Sequence, residues 1–289
     1  MKGNPIYSIA KKIVDRYNLV YIRKAYEWEQ RQVASLKAYW AMIPERPRLK
    51  QFKDVHADRK RCFIIGNGPS ILQQDLTKLK DEITFVTNAF VRHQQYNEIN
   101  PTYYCVSDCG FLSTIEIDNE LHQLMLERTG HAVKFFPLRV KPFVKKRNLF
   151  VDHPIFYLNY IGVPIWKVGS MSLDVTKRVY TGDTVIIDFC LPLAFYMGLS
   201  EVYLLGCDCD FKLDEAEDLS KGYFYDASDT TARFRSTNEY LKKVWYDNVM
   251  ASYSVAREAF ERHGRKIYNA GVGGKLEVFE RVNYDELFD

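Results

Sequence analysis

Arg61-Cys62-Phe63-Ile64-Ile65-Gly66-Asn67-Gly68-Pro69-Ser70 is a short apolar run that opens into a glycine-rich turn. Residues 62–65, apolar throughout and bounded by a turn, read as a strand buried on both faces. Glycines at 66 and 68 permit unusual backbone angles and let a ligand approach closely. Pro69 suits a first helical position, Ser70 adds a hydroxyl, and Ile71 to Leu79 reads as a helix. A strand, a turn and a helix in that order aim backbone N–H groups at a phosphate. The dinucleotide fingerprint is not met. Its third glycine is missing, and the next strand, Ile83 to Thr87, runs into Asn88 where such a site prefers an acid.

The same alternation continues outward. Tyr103 to Ser107 and Ala132 to Phe136 read as further strands, the second ended by Pro137. Residues 141–180 have little periodicity and read as a loop-rich insertion with one or two strands. Thr184 to Met197 is apolar on most sides and reads as a buried helix, opened by Gly182-Asp183-Thr184 and closed by Gly198. Val202 to Gly206 is the next strand. Residues 208–235, acidic and aromatic, read as a mobile lid. Ser236-x-x-Glu239 is a capping box for a long helix with an apolar face at Leu241, Val244, Trp245, Tyr253, Ala256 and Phe260. Gly264 closes that helix, and Lys266 to Asn269 is the last strand. The expected fold is α/β and Rossmann-like, a mostly parallel sheet with helices on both faces, preceded by a basic N-terminal helical arm. The arm is residues 1–50, periodic over 5–41 and stopped at Ile43-Pro44-Glu45-Arg46-Pro47. The α/β domain is 51–289.

The totals fit one large domain. The chain has 289 residues, 47% hydrophobic and 27% charged, an ordinary globular balance. No apolar run approaches the ~18 residues that span a bilayer, and Met1 to Tyr21 does not read as a signal peptide. Cys62, Cys105, Cys207 and Cys209 lie in or beside strands, which suggests reduced thiols and a cytoplasmic protein. With Cys109 and Cys190 they lack the spacing of a zinc site, so no metal site is assigned to them. Residues 1–61 hold fifteen Lys/Arg against six Asp/Glu, a balance of +9, while the whole chain carries +3. A basic arm on an acidic body points to an anionic membrane surface, which would make the protein peripheral to the inner membrane, or to a second subunit in a homo-oligomer. A solvated charged helix face explains the arm equally well, and nucleic acid is not the partner expected.

The carboxyl ends of the strands carry the candidate site residues. Asn88 can donate and accept, as a sugar or base requires, or simply cap a turn. Ser107 and Asp108 follow the third strand, Asp108 as a base, a ribose ligand or a helix cap. Thr181 and Gly182 precede the buried helix as a second anion-ready turn, with Asp183 read as its cap. Asp208 and Asp210 leave the next strand as a pair that could activate a hydroxyl or hold a cation, or stand in solvent. Tyr223 and Tyr225, in the lid, could hydrogen-bond a departing phosphate. None of the six histidines sits in a nucleophile or metal motif.

Taken in order, Arg61 to Ser70, Thr84-Phe85-Val86-Thr87-Asn88, Val202-Tyr203-Leu204-Leu205-Gly206-Cys207-Asp208, and Ile267-Tyr268-Asn269-Ala270 with Gly273-Gly274-Lys275-Leu276 resemble the domain shared by MptE-like proteins and many surface-polysaccharide loci. The same order resembles the bacterial lipooligosaccharide sialyltransferases, over roughly residues 60–285. That resemblance implies a CMP-activated sugar donor contacted by Asn67, Gly68, Pro69, Ser70 and Asn88, with Gly66 in the same turn. It implies donor contacts from Thr181 and Gly182, where the family's serine is absent. It implies tyrosines that assist the leaving phosphate, for which Tyr223 or Tyr225 would serve. The family's lid histidine has no counterpart in Gly222-Tyr223-Phe224-Tyr225-Asp226. The expected activity is inverting glycosyl transfer to a glycan acceptor in bacterial surface glycan synthesis, without a resident cofactor and with Asp208 or Asp108 as base. The alternatives are an MptE-like 6-hydroxymethylpterin diphosphokinase using ATP and magnesium on Asp108, Asp208 and Asp210, and a non-catalytic nucleotide-binding scaffold.

Overall fold

The computed structural model describes residues 38, 40–114, 120–210, 222–225 and 239–289. Most of the arm, most of the lid and Ser236 of the capping box lie outside the described residues. The chain divides between Ile43 and Pro44, and the sheet belongs to the second unit.

That sheet has nine strands: β1 Arg61–Ile65, β2 Thr84–Thr87, β3 Tyr103–Cys105, β4 Val133–Pro137, β5 Ile155–Pro164, β6 Arg178–Thr181, β7 Glu201–Leu205, β8 Lys266–Asn269 and β9 Glu280–Arg281. Every neighbouring pair is parallel, in the order β6-β5-β4-β3-β2-β1-β7-β8-β9. All of β2 and four of the five residues of β1 and of β7 are buried. Successive side chains of a strand point to opposite faces, so both faces of the central sheet are covered. Aromatic rings run across one face, with Phe85 stacked on Tyr103 at 4.7 Å and Phe52 edge-on to Phe156 at 4.6 Å.

Three local expectations change. Residues 141–180 are no insertion, because β5 and β6 extend the sheet to its edge. The far half of β5 and alternate residues of β6 are open to solvent, which weakens the apolar signal of a buried strand. No α-helix follows the glycine-rich turn. Residues 71–79 instead form parts of two short 3-10 turns, Pro69–Gln73 and Leu76–Leu79. Asp75 separates them by accepting from the Thr77 N–H at 3.1 Å, a local bond that competes with a continuing helix. Finally, Glu45–Lys50, read with the arm, is a helix docked on the sheet domain. Arg48 donates to the Ile155 carbonyl at 2.7 Å, and buried Glu45 pairs with Arg48 and Lys141.

The buried helix after β6 contains a π turn, Ile186–Cys190, before the α-helical Leu191–Tyr196. The Leu191 N–H reaches back five residues to the Ile186 carbonyl. Pro192 accounts for the widening. It lacks an N–H, and in an α-helix its ring would strike the carbonyl four residues earlier, that of Asp188.

From β1 the chain winds out to β6, returns to β7 on the other side of β1, and winds away to β9. The direction reverses between β1 and β7. In open parallel sheets a ligand crevice forms at such a reversal, beyond the carboxyl ends of the strands.

Candidate functional site

A cavity of about 840 Å³ occupies that crevice. Its wall brings together residues that the sequence scatters: the Gly66–Ser70 turn, Asn88, Ser107, Asp108, Asp183, Asp188, Asp208 and Tyr223. Thr181 and Gly182 stand just behind, bonded to Asp188, and Tyr225 stacks on Tyr223 at 5.4 Å.

The glycine-rich turn is tied to β7. Gly66 donates to the Leu205 carbonyl and Gly68 to the Gly206 carbonyl, both at 2.8 Å. A Cβ on Gly66 would lie 2.4 Å from the Gly206 carbonyl oxygen, so glycine is required where β1 and β7 meet. A Cβ on Gly68 would lie 2.6 Å from the Asp208 carboxylate. That carboxylate accepts from the Ser70 N–H at 2.9 Å and, through its other oxygen, from the Ser70 hydroxyl. The N–H groups of Gly66, Gly68 and Ser70 are therefore satisfied from within the protein. The close approach expected of a ligand is made by Asp208, and the helix N-terminus expected to hold a phosphate is absent. Asp208 itself is no free base, since both its oxygens are bound to Ser70.

The second turn is built alike. One oxygen of the Asp188 carboxyl accepts from the Gly182 N–H at 2.7 Å and from the Thr181 hydroxyl at 3.3 Å. The other accepts from the Ser107 hydroxyl at 2.9 Å, and the Tyr160 hydroxyl stands beside this group, donating to the Thr181 hydroxyl at 2.9 Å. Asp188 is 2% exposed. Burial raises its pKa to about 7 against the pull of these donors. Asp183 does not cap the helix. It sits in the left-handed region at φ 64°, and the Thr184 hydroxyl takes the Ile187 N–H instead. Burial raises the Asp183 carboxyl as well.

Between the turns, Asn67 donates to the Thr87 carbonyl and hydroxyl, both at 3.2 Å. Its own amide oxygen is buried without a partner, and so is that of Asn88. Asn88 holds a left-handed φ of 46°, and its carbonyl accepts from the Tyr104 hydroxyl at 2.6 Å. A buried acceptor without a donor costs about 1–3 kcal/mol. Two of them in one cavity wall suit a ligand rich in N–H or O–H groups.

The remaining acids are engaged. Asp108 accepts from the Gly110 N–H at 2.7 Å, the capping role considered for it. Asp210 pairs with Lys275 at 2.8 Å. Tyr223 faces the cavity, and burial, then the nearby Asp108 carboxylate, raise its pKa. The next residue joins this segment to the turn: the Phe224 N–H donates to the Asn67 carbonyl at 3.0 Å, and its ring packs edge-on to His93 at 5.2 Å. Arg139, after β4, lines the cavity and lies 5.6 Å from the centre of the Tyr160 ring. Among the described residues no histidine lines the cavity. All six cysteines are free thiols, five of them buried.

Sequence reasoning missed Asp188, Tyr160 and Arg139. A signal for Asp188 was present: a lone acid inside an apolar helix, four residues before a proline. Tyr160 and Arg139 lie in stretches without periodicity. The chain matches no protein-family model, no curated protein and no solved structure, so the resemblance to the sialyltransferases and MptE-like proteins rests on its motifs.

Proposed function

We propose that the protein is a glycosyltransferase that binds a nucleotide-activated sugar, preferably a CMP-linked acidic sugar, in the cavity between β1 and β7. The observation that carries the reading is the pair of unpartnered amide oxygens, Asn67 Oδ1 and Asn88 Oδ1, at the carboxyl ends of β1 and β2. A ribose or an exocyclic base amine supplies the N–H and O–H groups they lack. Arg139 adds a cation in the same wall, suited to the carboxylate of an acidic sugar. The donor phosphate takes the Ser70 N–H and hydroxyl from the Asp208 carboxylate, one anionic acceptor replacing another. Tyr223 stands ready to hydrogen-bond the departing phosphate.

The diphosphokinase reading, with ATP and magnesium, has weaker support. Asp108, Asp208 and Asp210 are each bonded to a protein donor rather than grouped as cation ligands. The acceptor is a glycan hydroxyl. Among the described residues no helix is long and apolar enough to cross a membrane, and the basic segment before β1 is our candidate for contact with an anionic surface or a second subunit.

Thermal-shift measurements with CMP, UDP, GDP and ATP, each with and without magnesium, test the assignment. Stabilisation by CMP without metal is the expected result. Stabilisation by ATP only with magnesium transfers the assignment to the diphosphokinase, and no stabilisation by any of the four rejects both.

A further inference from the structure

We propose that Asp188 is the group that receives the acceptor's proton during transfer, through the hydroxyl of Ser107. The inference rests on the donor-binding reading of the cavity and adds the base that this reading lacks.

The geometry singles out this carboxyl. Asp208 is bound through both oxygens to Ser70, Asp210 is paired with Lys275, and Asp108 caps a turn. Asp188 lines the cavity, out of a helix whose neighbouring residues are core. Its orientation has a definite cause. Pro192 forces the π turn around Asp188, and π turns of this sort recur at functional sites. Its donors come from two strand ends, Ser107 after β3 and Thr181 with Gly182 at the end of β6, and Tyr160 of β5 supports them by donating to the Thr181 hydroxyl at 2.9 Å. Ser107 is 7% exposed and stands in the cavity wall with its hydroxyl donating to Asp188 at 2.9 Å.

The proton path is short. As the acceptor oxygen forms its bond to the anomeric carbon, its proton passes to Ser107 Oγ. Ser107 gives its own proton to the Asp188 carboxylate. The bond between the anomeric carbon and the phosphate oxygen breaks, and the nucleotide leaves with the electron pair. Burial suits Asp188 to this task, because it raises the carboxyl to about 7, and a base works best when its pKa lies near the working pH. Asp183 and Tyr160 are the titratable groups that face it.

The test uses the full chain, CMP as the binding probe, and a CMP-activated acidic sugar with a panel of soluble glycans and water as acceptors. The wild type should bind CMP, and its turnover should rise through an inflection near pH 7. Asp188→Asn resembles the protonated carboxyl in shape. It should bind CMP within about twofold of wild type, lose roughly a hundredfold in turnover, and lack the inflection. Ser107→Ala cuts the path to Asp188, so it should lose turnover comparably and lose the inflection with it, and near-normal turnover in this variant also overturns the proposal. Should Asp188→Asn fail to fold, the Ser107→Ala variant and the wild-type profile still decide. Turnover of Asp188→Asn close to wild type, an inflection absent from the wild type, or one that disappears in Asp183→Asn but not in Asp188→Asn, overturns the proposal. Failure of the underlying reading looks different. The wild type then binds no CMP at any pH, and the inference falls with it before any variant is made.

Discussion

The cavity has two turns that should welcome an anion, and each already holds one of the protein's own carboxylates. At the β1 turn, Asp208 sits on the N–H and hydroxyl of Ser70, partly open to the cavity. At the β6 turn, Asp188 sits on Gly182, Thr181 and Ser107, 2% exposed. The donors are of the same kind and the acceptor is the same group, so the difference is solvent. Asp208 can be replaced by a ligand oxygen, because water meets its charge when it swings away. Asp188 cannot leave without stranding buried donors, so its freedom is to gain or lose a proton. One aspartate holds a place for a ligand, and the other is a fixed acid–base group.

The contrast breaks most readily on stability. Asp188→Ala leaves the Gly182 N–H and the Ser107 and Thr181 hydroxyls facing a void. A loss of about 3 kcal/mol or more is expected in urea unfolding. A variant as stable as wild type would show that water satisfies these donors and that the two turns do not differ.

Dependence on pH comes next. The folded pKa of Asp188 is raised to about 7, while an unfolded aspartate titrates at about 3.9. Between those values the folded protein keeps a proton that the unfolded chain has released. Stability from this group is therefore full below about pH 4, falls as pH rises to 7, and is constant above. The fall should be on the order of 2–4 kcal/mol. Subtracting the unfolding profile of Asp188→Asn from that of the wild type isolates it, and a flat difference would mean that Asp188 is ionised throughout.

The two turns were unequally legible in the sequence. Cys62 to Ser70 announced a strand and a turn, because a short apolar run ending in glycines has few other readings. The role of its glycines was misjudged. Gly68 is small because Asp208, 140 residues later, lies against it, and no local pattern reports such a contact. Thr181-Gly182 was legible as a helix opening. Asp188 was hidden because thirteen other residues between Thr184 and Met197 describe a core helix, and its direction depends on how Pro192 distorts that helix. Residues 141–180 read as an insertion with one or two strands, and their place in the sheet stayed hidden for a third reason. A parallel strand advertises itself by burial on both faces, which the far half of β5 and the edge strand β6 lack.

Gly68→Ala sharpens the β1 side. Gly68 has φ −67° and ψ 149°, angles open to any residue, so the cost comes only from the added methyl meeting the Asp208 carboxylate at 2.6 Å. A loss of about 1–2 kcal/mol is expected. Adding Asp208→Ala should recover most of it, a departure from additivity that a double-mutant cycle measures directly. Additive losses would place the strain elsewhere in the turn.

Asp208→Ala alone should have the smallest effect on stability and the most informative effect on binding. Ser70 loses its acceptor, but the cavity admits water to the freed N–H and hydroxyl, so the cost should stay below about 1 kcal/mol. At the same time the turn loses a negative charge and gains two open donors at the place assigned to the donor phosphate. CMP affinity should rise, by about tenfold if the gain is near 1.4 kcal/mol, while cytidine, which has no phosphate, should bind as before. The phosphate-free nucleoside is what makes the measurement decisive. Were Asp208 the base instead, CMP affinity would hold steady and turnover would collapse. Were it a mere fastening of the lid to the turn, CMP and cytidine would weaken together. Only displacement of one anion by another makes the two ligands diverge, and calorimetric titration of a single variant with both distinguishes the three cases.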